Sequence, residues 1–135
     1  MNQTRAIVRV GEVMKTQVDL VERSMTVADA LRQMKHVETK ALIVDKRDDD
    51  DEYGIVLISD IAREVVGKDR SPERVNVYEI MSKPVITVHP DMDIRYCARL
   101  FDKFGLSRAP VTKRGRIVGI VSYTDIVLRG LLREL

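Results

Sequence analysis

Gly119-Ile-Val-Ser-Tyr-Thr-Asp-Ile126 reads as a buried strand running straight into a helix start, with Ser122 and Asp125 three residues apart at the junction. A hydroxyl and a carboxylate placed this way can grip a sugar and a phosphate, or can simply cap the helix. Much of the stretch has occurred once already, as Gly54-Ile-Val-Leu-Ile-Ser-Asp-Ile61. A repeat of this kind sets the fold before any single motif does.

The duplication extends upstream. Val8-Arg-Val-Gly-Glu-Val-Met14 returns 67 positions later as Val75-Asn-Val-Tyr-Glu-Ile-Met81. The same spacing maps Val18 and Val21 onto Val85 and Val88, two short extended segments. It also maps Thr26 onto Asp93, each a candidate N-cap before an apolar-periodic run. Val27, Ala30, Leu31, Met34 and Val37 share their offsets with Ile94, Cys97, Ala98, Phe101 and Phe104. Each set predicts an amphipathic helix with one stripe on a core. Thr26 and Asp29 have the spacing of a capping box, with the shorter Asp in the Glu place. Gly105 predicts the C-terminal stop of the second helix.

Two strands follow in each half. Ala41-Leu-Ile-Val44 corresponds to Arg108-Ala-Pro-Val111 at the same spacing, whereas strands 54–57 and 116–121 align only at a spacing of 65. The difference falls in the connection: Lys46 to Glu52 predicts a long acidic tip, and Lys113-Arg-Gly-Arg116 a tight turn. Helices are expected over 60–66 and 124–134. Residues 67–74, polar and broken by Gly and Pro, read as a linker between a first repeat at 8–66 and a second at 75–134. Each half is strand, helix, strand, strand, helix, an α+β unit. A unit of roughly 60 residues buries too little apolar surface to be secure alone. The expected architecture is therefore a tandem, pseudo-twofold pair of β-α-β-β-α halves packed sheet to sheet.

At 135 residues, with 33% charged and 44% hydrophobic residues and a net charge of +2, the chain has ordinary globular composition. Its mixed charges argue against a general nucleic-acid binder. With Cys97 as the single cysteine, no intrachain disulfide forms, and a cytoplasmic location is expected. One Cys with His36 and His89 does not easily make a zinc site, so no metal is expected. No apolar run approaches the ~20 residues of a membrane span, and no signal-peptide pattern stands at the start.

In this order, the duplicated Val/Ile-Met turn, Ser107-Arg-Ala-Pro-Val111 and the two Gly-Ile-Val endings resemble the CBS-domain pair, also called a Bateman module, over about 8–132. The resemblance implies a regulatory module that binds an adenosine-containing ligand (AMP, ADP, ATP, S-adenosylmethionine or NAD) in a cleft between the halves and signals to an effector protein. It also implies a homodimer.

Carried over residue by residue, it gives a main site. Asp125 takes the ribose, Ser122 the sugar or phosphate at a helix start, and Arg108 the phosphates. Ile120 lines the pocket, and Val18, Asp19, Thr39 and Lys40 surround the base. The second site, with Asp60, Ile86 and Ser107, is expected to be weaker. Leu57 stands where Ser122 stands, and Ala41 where Arg108 stands. Two lost contacts of about 1–3 kcal/mol each weaken binding at least tenfold, at about 1.4 kcal/mol per decade. The alternative is a structural or dimerisation module without a ligand.

The remaining features have plainer readings. Residues 48–52 lack the ligand spacing and Gly of a calcium loop and read as a solvated tip. His89-Pro90 reads as a turn, Cys97 as a small core residue and His36 as solvated. Lys113, Arg114 and Arg116 read as a solvated tip, with nucleic acid not expected there. No nucleophile–base set, Walker loop or GxGxxG is present, so no enzyme and no catalytic cofactor are expected. Leu128, Leu131 and Leu132, with the turns near Met14 and Met81, are candidate dimer-interface residues, unless they serve the chain's own core.

Overall fold

The computed structural model describes residues 6–83 and 85–135. In chain order the elements are α1 (Val10–Val13), β1 (Leu20–Val21), α2 (Val27–Gln33), β2 (Ala41–Val44), β3 (Gly54–Leu57), α3 (Ile58–Ile61), α4 (Ile94–Phe104), β4 (Arg108–Lys113), β5 (Arg116–Ser122) and α5 (Tyr123–Asp125). The expected helices over 60–66 and 124–134 are composite. α3 and α5 run on through π-helical turns at Ala62–Val66 and Ile126–Gly130, and the last ends in a 3-10 turn at Leu131–Glu134.

The chain divides into two compact units, Val18–Val85 and a second that joins the stretch up to Gln17 to Ile86–Leu135. These are not the sequence repeats themselves, because each repeat's opening turn has crossed over. Val8, Val10 and Val13 are buried with Phe101, Val111 and Val121, whereas Val75 and Val77 are buried with Leu42, Val56 and Val65. The crossing is sealed by backbone bonds that obey the repeat. Lys15 and Ile120 exchange two bonds of 2.9 Å; Ser82 and Ile55 exchange two of 2.9 and 3.0 Å.

In the Val18–Val85 unit, β1 lies parallel to β2, and β2 antiparallel to β3, with Ala41 opposite Leu57 and Val44 opposite Gly54. β2 is buried throughout, as its unbroken apolar run demands. Among the described residues, the second unit has only the β4–β5 hairpin, and the expected strand near Val85 and Val88 shrinks to one parallel bridge, Val88 to Val111. A proline is the cause. In the first unit the Ile43 N–H donates to the Asp19 carbonyl at 2.9 Å. The repeat places Pro110 at the position of Ile43, and proline has no N–H to give Ile86.

The two amphipathic stripes hold in part. Ile94, Cys97 and Phe101 are buried on α4, but Phe104, its last residue, is exposed. Gly105 stops that helix as expected, at φ +65°, and the Leu106 N–H donates back to the Phe101 carbonyl at 2.8 Å. In the first half, Val27 and Ala30 are buried, yet Leu31 and Val37 are exposed. α2 ends at Gln33 and Met34 turns extended, so the 3.6-residue phase is lost before Val37. Thr26 caps α2 by accepting the Asp29 N–H at 3.1 Å, while the Asp29 carboxylate turns to Arg32 at 3.0 Å. Cys97 is fully buried, which pushes its thiol up to about 11 and leaves it inert.

The two hairpin tips differ as the sequence suggests. Lys113 pairs with Arg116 across a two-residue turn in which Arg114 and Gly115 both have positive φ, 53° and 74°. Such a turn favours Asn before Gly. Arg114→Asn is therefore expected to raise stability by on the order of 0.5–1 kcal/mol in urea melts, since arginine bears the left-handed strain poorly.

The acidic tip is not uniformly solvated. The Asp51 side chain is 6% exposed, 2.6 Å from Lys83 Nζ and 3.1 Å from Arg47 Nε. It also accepts the Arg47 N–H at 2.9 Å. The Lys83 bond first, then Arg47, holds this carboxyl far below the usual carboxylate range. Its folded pKa is depressed, so its contribution is complete above the unfolded pKa of about 4 and fades as pH falls below it. Asp51→Asn should thus lower the melting temperature at pH 7 and flatten its decline between about pH 4 and 2. A wild-type decline retained in the variant would refute this.

Candidate functional site

β5 delivers Ser122 and Asp125 to one buried corner. Ser122 is the extended N-cap of α5, and its Oγ accepts the Asp125 N–H at 3.2 Å. In return, Asp125 Oδ2 accepts the Ser122 N–H at 3.0 Å and its Oγ–H at 3.1 Å. The capping box read from sequence is therefore real. Asp125 is only 2% exposed, and a carboxylate that deep needs a counter-charge. Lys15 supplies it, donating from Nζ to the other oxygen, Oδ1.

Arg108 stands directly opposite Ser122 in the β4–β5 register. Its Nε lies 3.4 Å from Ser107 Oγ. Burial pulls the guanidinium pKa down, and the attraction of Asp125 acts the other way. Ile120, buried on β5, carries the main chain of Lys15 through their paired bonds. Four of the predicted residues (Arg108, Ile120, Ser122 and Asp125) thus gather in one unit, together with a fifth the sequence did not single out. Lys15 follows a one-turn helix and sits in no pattern of its own. The signal was there only in the repeat, which carries the pairing of Ile55 with Ser82 onto Ile120 and Lys15.

Of the other predicted residues, Ile86 and Ser107 share that unit and the rest lie in the other, most of them already engaged. Val18, Asp19, Thr39 and Lys40 belong to the Val18–Val85 unit. The two Asp19 carboxylate oxygens accept the Lys35 and His36 N–H groups at 2.9 and 2.8 Å, holding the chain where α2 has ended. Thr39 Oγ1 is buried 2.8 Å from the His36 carbonyl. Lys40 is left-handed at φ 56°, and its carbonyl accepts the Ile58 N–H at 3.0 Å. Val18 is half-buried.

In the same unit, Asp60 accepts the Leu57 N–H at 2.8 Å and pairs with Arg63 at 2.6 Å, one turn along its own helix. Ile86 is half-buried in the second unit, and the carbonyl of exposed Ser107 accepts the Tyr123 N–H at 3.0 Å. His89 Nδ1 accepts the Asp91 N–H at 3.0 Å, the turn expected of it.

The corner at Asp125 offers acceptors for hydroxyls and donors for an anion side by side. A carboxylate can accept from two vicinal hydroxyls, and Lys15 and Arg108 suit phosphate oxygens. Among the described residues, no group of His, Cys, Asp and Glu could hold a metal ion, and no helix is long and apolar enough to cross a membrane.

The CBS-domain family model matches this chain twice, at residues 10–67 and 77–131. A hexameric CBS-CP12 protein from bloom-forming cyanobacteria superposes with a TM-score of 0.89 at 38% identity, covering 95% of this chain and 74% of that one. The uncharacterized protein MK0525 of Methanopyrus kandleri is 32% identical over 122 residues. This match covers 89% of the present chain, which spans 61% of that relative's length. The cytosolic domain of the Mg2+ channel MgtE, solved in complex with ATP, gives a TM-score of 0.68 at 26% identity, covering 88% of this chain and 47% of that one.

Proposed function

The chain belongs to the CBS-domain family as a tandem pair, and from that premise we propose that it is a regulatory module whose Ser122–Asp125 corner binds an adenosine-containing nucleotide. The observation that carries this reading is a comparison within the molecule. The equivalent corner of the other unit starts its helix with Leu57 and an Asp60 that is 16% exposed and paired to its own helix. Closing a helix start therefore requires neither a buried hydroxyl nor a lysine brought from 110 residues away. Ser122, Lys15 and Arg108 are polar groups beyond what capping needs, arranged around a carboxylate suited to a ribose. That a relative of 26% identity holds ATP supports the same ligand class.

Binding at this corner would act on a partner only through unequal affinity for two arrangements of the protein. The second corner, at Asp60, is assigned the weaker affinity. Self-association is part of the proposal, since the cyanobacterial relative is hexameric. Leu128, Leu131 and Leu132 are exposed and available to it, whereas Met14 and Met81 pack against the cores of their own units.

Calorimetry with adenosine, AMP, ADP, ATP, S-adenosylmethionine and NAD tests the ligand. Binding by at least one of them is expected. Silence from all six at millimolar concentration would leave a structural module as the function.

A further inference from the structure

We propose that Lys15 is the specificity residue of the Asp125 corner: its ammonium, held by Asp125 in the structure, transfers to the phosphate of an incoming nucleoside phosphate, so that the site takes phosphorylated adenosine in preference to adenosine or S-adenosylmethionine. The inference rests on the reading of Ser122–Asp125 as a nucleotide site and narrows it.

Three observations support it. The first is that both oxygens of Asp125 are engaged, Oδ2 by Ser122 and Oδ1 by Lys15, so a ribose that bonds to this carboxylate must compete with Lys15. Parting a buried carboxylate from its cation is costly unless each finds a new partner. A ribose satisfies the carboxylate, but only an anionic ligand also receives the ammonium. Neutral adenosine leaves it unmatched. S-adenosylmethionine is worse, because it brings a sulfonium cation next to Lys15 and Arg108.

The second is mechanical. The Lys15 main chain is fixed by its paired bonds to Ile120, and its side chain is 24% exposed. The anchor stays and the flexible four-carbon stem moves. A compact ammonium suits such a transfer, whereas a planar guanidinium holds one geometry.

The third is charge. Arg108 faces Ser122 across the hairpin and feels the attraction of Asp125, so a second cation serves the same carboxylate. Burial acts on its guanidinium more strongly than the attraction of Asp125, a setting in which a dianion is welcome. In the other unit the position of Lys15 is occupied by Ser82 and that of Arg108 by Ala41, so this apparatus exists only once.

The experiment is calorimetry on the full chain, with adenosine, AMP and S-adenosylmethionine titrated into wild type, Lys15→Met and Lys15→Arg, each first checked for fold by circular dichroism. Wild type is expected to prefer AMP over adenosine by at least about tenfold, more at low salt, and to bind S-adenosylmethionine most weakly. Lys15→Met should weaken AMP while leaving adenosine unchanged or tighter, since no ammonium then has to move. Lys15→Arg should show a preference for AMP between those of wild type and Lys15→Met, since it keeps the charge but leaves Asp125 less readily. Should Lys15→Met unfold, the salt dependence of the wild-type AMP-to-adenosine ratio and the Lys15→Arg titration carry the test.

Equal wild-type affinity for adenosine and AMP overturns the role of Lys15 but leaves the nucleotide site standing. So does an unchanged ratio in Lys15→Met. Tighter binding of S-adenosylmethionine than of AMP does the same. Absence of all three affinities in wild type overturns this inference, and the site reading falls with it only if ADP, ATP and NAD are silent as well.

Discussion

Asp125→Ala is expected to abolish nucleotide binding and to cost about 2–4 kcal/mol of stability, whereas Asp60→Ala should keep most of the binding and cost about 1 kcal/mol. The two aspartates close the same kind of helix start at equivalent points of the repeat, so the contrast isolates what surrounds them. Removing Asp125 deletes the bonds to the Ser122 N–H and Oγ and strands Lys15 beside a buried cavity. Breaking a fully buried pair costs about 3–5 kcal/mol, and the partial exposure of Lys15 lets water recover some of that. Removing Asp60 deletes one backbone bond and a pair with an exposed arginine, the first worth about 1 kcal/mol and the second a few tenths.

Urea melts give the stabilities, and titration of AMP gives the site. Asp125→Asn sharpens the result. It still accepts the Ser122 N–H but holds no charge for Lys15, so its stability should fall between wild type and alanine. Loss of binding in Asp60→Ala with retention in Asp125→Ala would place the ligand at the wrong corner of the molecule.

The repeat made much of this fold legible. Ala41–Val44 and Gly54–Leu57 are strands at their expected limits because their apolar runs are bounded by turn residues, and Gly105 ends its helix because only a residue at ease with positive φ can stand there. What the sequence did not reveal depends on contacts between distant positions. The crossing of Val8–Met14 and Val75–Met81 into each other's repeats leaves both patterns unchanged, since either hydrophobic turn satisfies either sheet. The reduction of the segment near Val88 to a single bridge follows from a proline on the facing strand, which no reading of residues 85–88 alone would reveal.

Within the candidate site, Ser122 and Asp125 were visible from spacing, and Arg108 from the family pattern. Lys15 was not, because an isolated lysine carries no periodicity and its partner lies 110 residues away. Asp19 and Thr39, expected beside the base, also have local partners. Their polar atoms hold the backbone at 35–36 and 36–41, a local duty that polar side chains in turns commonly assume.

Gly119→Ala should be the most damaging single-methyl change on β5, and Gly54→Ala, its counterpart in the repeat, should be nearly silent. A Cβ at Gly119 would lie 2.5 Å from the Lys15 carbonyl oxygen and 2.7 Å from Met14 Sδ; at Gly54 it would meet Met81 Sδ at 2.8 Å and the Ser82 carbonyl at 3.3 Å. A methionine sulfur can rotate away, but a carbonyl fixed in a backbone bridge cannot. Overpacking against backbone costs about 1–3 kcal/mol or more, against a gain of about 0.4–1 kcal/mol from stiffening the unfolded chain. The net loss at Gly119 should be about 1–3 kcal/mol, a fall in melting temperature of roughly 4–10 °C for a chain of this size, and at Gly54 less than about 1 kcal/mol.

Met81→Ala should relieve the small cost at Gly54, while Met14→Ala should not rescue Gly119→Ala, because the carbonyl remains. Relief at Gly119 can come only from opening the bonds between Lys15 and Ile120, which fix the stem of the lysine that reaches Asp125. Gly119→Ala should therefore weaken AMP binding as well as folding, although the residue touches neither Asp125 nor a phosphate. A Gly119→Ala protein that melts with wild type and binds AMP undiminished would show that the Met14–Lys15 turn does not seat on β5 as described.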